Sequence, residues 1–135
     1  IGGASIEVNA TVAVDDADEV GLSVLRSPDG REATEITYWD GAGALGIDSG
    51  RASGNPEAKG RPPEVAPFSL GDDERLDLRV FVDRSIVEVF ANGRRTLTTR
   101  VYPARDDSVG LSLSARRGTA HLDSLDAWDM GSIWS

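Results

Sequence analysis

Cysteine is absent from the 135 residues, which excludes disulfides and thiolate chemistry. It does not fix a compartment, and secreted and cytoplasmic locations in a bacterium both stay open. A single histidine, His121, cannot build a multi-histidine metal site, so no metal and no cofactor is expected. Basic residues are few, 14 against 23 acidic ones, for a net charge of −9. That balance excludes the basic footprint that nucleic acid or an anionic membrane surface requires. Only one of the cations is lysine, Lys59, which reads as codon bias. No window approaches the ~18 apolar residues of a membrane-spanning helix, and no signal peptide opens the chain. No stretch sustains a 3.6-residue period, so helices are not expected. The first residue is Ile1, and residues 1–135 read as one domain cut from a longer protein.

What is present is strand alternation. Ile6, Val8, Ala10, Val12 and Val14 alternate with Glu7, Asn9, Thr11 and Ala13, a half-buried strand. The acidic cluster Asp15, Asp16, Asp18 and Glu19 predicts a solvated turn. Val20, Leu22 and Val24 form the next strand, closed by Ser27-Pro28-Asp29-Gly30. From Thr34 to Asp40, Ile36 and Tyr38 share one face, Thr37 and Trp39 the other, and a short strand follows over Ala44 to Asp48. Between Ser49 and Pro67 proline and glycine erase any period, which predicts a long loop. Further on, Val109, Leu111 and Leu113 alternate with Gly110, Ser112 and Ser114. After Arg117-Gly118, Ala120, Leu122 and Leu125 face inward. Short strands with regular turn signals predict an all-β, antiparallel two-sheet β-sandwich of jelly-roll or concanavalin A-like type. The expected core includes Ile6, Val8, Ile36, Leu78, Val80, Val87, Leu111, Leu113 and Leu122.

The organising stretch is Leu76 to Tyr102. Leu76, Leu78, Val80 and Val82 alternate with Asp77, Arg79, Phe81 and Asp83, and a second apolar run covers Ser85 to Ala91. Asn92-Gly93 then signals a tight hairpin, since both residues accept positive φ. A third strand, Thr96 to Tyr102, ends at Pro103, giving a three-stranded meander. FVDRSIVEVFANG followed by RTLTTRVYP, with the ending LDSLDAWDMGSIW, resembles the C-terminal β-sandwich domain of glycoside hydrolase family 32. That family comprises the invertases, levanases and other β-fructofuranosidases. The resemblance implies a fragment of a longer enzyme, without its N-terminal five-bladed propeller, which carries catalysis in the family. It also implies a partner in that propeller, and a fructan or fructose as ligand.

Chemistry has three candidate places. Asp83 and Glu88 could be the carboxylate pair of a glycosidase. The preferred reading makes Asp83, Arg84, Ser85 and Glu88 structural: Asp83 and Arg84 bond within a turn and Glu88 alternates outward. The resemblance favours it, because the propeller motifs (Asn-Asp-Pro-Asn, Arg-Asp-Pro, Glu-Cys) are missing. Arg105-Asp106-Asp107 has no proline, and the chain has no cysteine. This chain alone is therefore expected not to be an enzyme. A carbohydrate site is expected first at Trp39, Asp48 and Arg51, which combine a stacking ring with a charged acceptor and donor; otherwise Trp39 caps the sandwich edge. The family often carries an Asp-Arg pair beside a serine, whereas here the order is Asp48-Ser49-Gly50-Arg51. Finally, Trp128, Met130, Ile133 and Trp134 crowd the end of the chain and predict a docking tail. Calcium at Asp15–Glu19 or Asp72–Glu74 fits no ordered ligand pattern.

Overall fold

Apolar residues at every second position can all be buried only if the strands carrying them form sheets, and the described residues form ten strands. The computed structural model describes residues 5–26, 33–51, 64–83, 86–100 and 110–129, and among them there is no helix. The strands are β1 (Ser5–Ala13), β2 (Glu19–Arg26), β3 (Ala33–Trp39), β4 (Ala44–Arg51), β5 (Glu64–Pro67), β6 (Leu76–Asp83), β7 (Ile86–Ala91), β8 (Arg95–Arg100), β9 (Gly110–Arg116) and β10 (His121–Asp129). A front sheet has the order β10-β1-β6-β7-β8 and a back sheet the order β5-β4-β3-β2-β9. Every pairing is antiparallel. The expected two-sheet sandwich is what the chain forms.

Each sheet turns one face inward. In β6 the burial alternates without a break, Leu76, Leu78, Val80 and Val82 inside, Asp77, Arg79 and Asp83 exposed. In β7 Val87, Val89 and Ala91 are inside, and across the gap β3 and β4 contribute Ile36, Tyr38, Leu45 and Ile47. Full burial of one such Leu, Ile or Val contributes ~1.5–3 kcal/mol, so this interior is the main source of stability.

Three expectations are corrected. The stretch from Ser49 to Pro67 is not all loop, because β4 runs on to Arg51 and β5 pairs with β4 over Glu64–Pro67. β5 is short, sits at the sheet edge and is mostly exposed, so no alternation marked it. Leu122 is not core. It shares the inward side with Val12, its partner across β1 and β10, yet it remains 49% exposed and Leu125 40%. β9 and β10 are edge strands, and the short side chains of Ser114, Ala115 and Ala120 leave beside Leu122 an open cleft of about 160 Å³. Ile6 and Leu113 pack on the core only in part, and the Leu111 side chain lies outside the described set.

The acidic turn is not simply solvated either. Asp16 Oδ1 accepts bonds from the Thr119 amide (2.8 Å) and hydroxyl (3.2 Å), while Arg117 pairs with Asp18 and Arg116 with Glu19. His121 meets Asp15. Those carboxylates fasten the β1–β2 turn to the β9–β10 turn, and the contacts to Thr119 lower the Asp16 pKa.

The hairpin between β7 and β8 forms as expected. Asn92 and Gly93 have φ of 50° and 65°, and the Arg94 amide closes the turn on the Ala91 carbonyl at 2.9 Å. A Cβ at Gly93 would meet nothing within 4 Å, so substitution there strains only the backbone. Gly93→Val should therefore destabilise the domain by about 1 kcal/mol or more. Gly93→Asn should cost less, because asparagine tolerates the left-handed region. Urea midpoints compare the two; an unchanged midpoint for the valine variant would contradict this account of the turn.

Candidate functional site

The family-like motif divides by strand alternation into two sets. Val80, Val82, Val87 and Val89 point into the core, whereas Phe81, Asp83, Ile86, Glu88 and Phe90 occupy the outer face of the front sheet. Cross-strand register sets Phe81 opposite Glu88, Arg79 opposite Phe90, and Asp83 opposite Ile86. Phe81 and Phe90 are thus diagonal neighbours, and their rings meet edge to face at 5.7 Å and 88°. Beside them runs a groove of about 330 Å³ lined by Asp77, Arg79, Phe81, Phe90, Asn92 and Gly93. Arg79 Nε donates to Asn9 Oδ1 (3.2 Å), and Asn9 Nδ2 donates to Glu7 Oε2 (3.2 Å), a polar ladder across β6 and β1. Asp83 and Glu88 also project from this face as diagonal neighbours, and neither lines the groove. Arg84 and Ser85 lie outside the described residues. Phe81, Phe90 and Arg79 were not singled out from the sequence. The signal was available, since two phenylalanines stood on the polar register of otherwise alternating strands.

Trp39 lies on the outer face of the back sheet, opposite the buried Ile36 and Tyr38, as its register predicts. Its indole extends across β4 above Gly46, where an added Cβ would come within 2.7 and 2.9 Å of two ring carbons. The glycine makes room for a ring lying along the sheet. Asp48 shares that face but pairs with Glu35, four residues from Trp39 along β3, which is about 13 Å of extended strand. The fold therefore does not bring the two against one another. The Arg51 backbone pairs with Ala33; its side chain is outside the described set, as are that of Trp128 and all of Met130, Ile133 and Trp134.

A second arrangement joins the two sheets at one end. The Tyr38 hydroxyl donates to Asp40 Oδ1 at 2.7 Å and accepts from the Leu70 amide at 3.4 Å. Burial, aided by that acceptor, pushes its pKa up to about 12. The Tyr38 ring packs edge-on against Phe68 at 5.8 Å, and the Arg94 guanidinium covers the Phe68 ring at 5.1 Å. Arg94 binds both oxygens of Glu74, which also accepts from the Gly71 amide (2.8 Å) and Asn92 Nδ2 (3.1 Å). The Arg94 bonds first, then the Gly71 amide, pull the Glu74 pKa down to about 2, and Glu74 raises that of Arg94. Asn92 Oδ1 accepts from the Asp77 amide at 2.8 Å and its Nδ2 donates to the Arg75 carbonyl at 2.7 Å. Bonds to the Leu70, Gly71 and Asp77 amides and to the Ser69 and Arg75 carbonyls tie these side chains to backbone, so the cluster is a clasp. Among the described residues no three His, Asp or Glu gather as a metal site.

Among the described residues, ten antiparallel strands in two packed sheets, with charges engaged at turns and aromatic side chains on both outer faces, define an all-β sandwich module. The family described as "Glycosyl hydrolases family 32 C terminal" matches residues 1–129, and the chain belongs to it. It is 33% identical to the levanase of Bacillus subtilis (strain 168) over 138 residues, covering 98% of this chain and 20% of that protein. Over 60 residues it is 52% identical to the raffinose invertase of Escherichia coli, which is 44% of this chain and 12% of that protein. Its fold matches exo-inulinase from Aspergillus awamori with a TM-score of 0.78 at 23% identity, covering 93% of this chain and 24% of that one. The chain thus spans a quarter or less of the length of each.

The clasp fixes a pH dependence. Glu74 is held ionised in the fold, its pKa lowered from 4.5 to about 2, and Asp16 is lowered from 3.8. The folded state binds fewer protons than the unfolded state in this range, so the contribution of these groups is complete above about pH 5 and drains as pH falls toward 2. Urea midpoints measured from pH 6 to 2 should fall across that window, less steeply in Glu74→Gln. A Glu74→Gln profile parallel to that of the unaltered chain would contradict the role of the clasp.

Proposed function

We propose that this chain is the non-catalytic β-sandwich module of a sucrose- or fructan-cleaving glycoside hydrolase, where it packs on the N-terminal five-bladed propeller and stabilises it. The observation that carries this reading is the family match. It covers residues 1–129 with a C-terminal domain, while relatives named levanase and raffinose invertase extend far beyond the matched part. The chemistry of the described acids supports it. Glu74, Asp16 and Asp15 are engaged in clasps and turns, and Asp83 and Glu88 stand on an open sheet face. Glycoside cleavage instead needs two carboxyl groups facing each other across the scissile bond. The purified chain should release no sugar from sucrose, inulin or levan, whereas the propeller should inactivate faster on heating without it than with it. Sugar release by the chain, lost in a folded Glu88→Gln variant, would contradict this.

One observation favours a second role, fructan binding. The Trp39 indole lies along the back sheet over Gly46, the orientation that offers a ring face to sugar C–H groups. Such a shallow site binds weakly, with Kd near or above ~0.1 mM. Titration with fructo-oligosaccharides and levan, followed by tryptophan fluorescence or NMR, should show saturation that Trp39→Ala abolishes. Absence of binding at millimolar sugar would remove this second role and leave the packing role standing alone.

A further inference from the structure

Resting on the packing role above, we propose that the outer face of the front sheet, centred on Phe81 and Phe90, is the surface that meets the N-terminal hydrolase domain. A sheet face bathed in water has no physical use for two phenylalanines and an isoleucine on its central strands. Here Phe81, Ile86 and Phe90 occupy adjacent positions of β6 and β7, with β1 and β8 to either side. The two half-buried rings pack edge to face, and the 330 Å³ groove beside them is open to receive apolar side chains from a partner.

The path of the chain selects the occupant. β1, the first strand, enters the front sheet at Ser5, paired with Asp83, whose other neighbour is Ile86. A domain joined upstream of Ser5 is therefore tethered at the Asp83 end of the front sheet, two residues along β6 from Phe81. Charge adds the character of the partner. Glu7, Asp77, Asp83 and Glu88 accompany Arg79 as the charged groups on β1, β6 and β7 of this face, so the matching surface carries arginine or lysine around an apolar centre. The back sheet presents a different outer face. Gly21, Thr37 and Gly46 lie abreast on β2, β3 and β4, with Trp39 folded down on the last of them.

The test places changes on each face of the two-domain polypeptide, the hydrolase domain followed by this chain. The front changes are Phe81→Ser with Phe90→Ser and, separately, Glu88→Arg, which reverses an outward charge and leaves the core intact. The back changes are Ser23→Arg and Thr37→Arg, both on the outward register of their strands. In the isolated chain, Glu88→Arg should leave the urea midpoint unchanged. In the two-domain protein the front changes should split one unfolding transition into two, and shorten the half-life of sucrose or levan hydrolysis at raised temperature by about tenfold or more. Back changes should do neither. If only the back changes split the transition, the docking face is the other sheet and this proposal falls while the packing role survives. If neither face matters, the packing role falls with it. Fructo-oligosaccharide binding by the chain that is lost in the Phe81/Phe90 variant would assign the groove to sugar and overturn the proposal as well.

Discussion

Each sheet has one apolar face, and neither sheet is stable until that face is covered by the other. The inward rows of β6 and β7 require those of β3 and β4, and Leu78, Val80, Val87, Ile36, Leu45 and Ile47 are almost wholly removed from water. Because the side-chain period of a strand is two, this one requirement also fixes what points outward. A shift of one residue in β6 would bury Arg79 and Asp83 and expose four core residues. The outward positions of Phe81, Glu88 and Trp39, on which the proposed roles rest, are thus consequences of core registration.

Closure at one end of the sandwich is made differently. Where apolar side chains run out, the chain uses charge and directed hydrogen bonds: the Tyr38–Phe68–Arg94–Glu74–Asn92 clasp and, at the same end, where the Asp40 amide donates to the Asp18 carbonyl, Asp16 bonded to Thr119, with Arg116 and Arg117 held by Glu19 and Asp18. Exposed ion pairs alone contribute little. More comes from the backbone amides that neighbouring side chains satisfy, Gly71 by Glu74, Asp77 by Asn92 and Thr119 by Asp16. The side where β9 and β10 form the rims is left less well sealed, and Leu122 shows it.

Much of this was legible in the sequence, because it depends on local period and turn chemistry. Alternation over Leu76–Val82 and the Asn92-Gly93 turn translate directly into β6 and the β7–β8 hairpin. β5 was not legible, since an exposed four-residue edge strand among prolines carries no period. Nor was the Arg94–Glu74 bond, whose partners lie twenty residues apart and meet only once the hairpin folds back on the turn before β6. Nearness along the chain suggested that Trp39 and Asp48 belong together, but antiparallel pairing sets Asp48 beside Glu35 instead. The outward phenylalanines were visible in the pattern and became meaningful only when their strands proved central to the sheet.

A module whose front sheet is finished by a second domain must lose solvent from that face when the domain is present. Hydroxyl-radical footprinting reads this residue by residue, comparing the isolated chain with the two-domain polypeptide. The account predicts that Phe81 and Phe90 react in the isolated chain and are strongly protected in the longer protein, while Trp39 reacts equally in both. Equal labelling of Phe81 and Phe90 in the two proteins would contradict it.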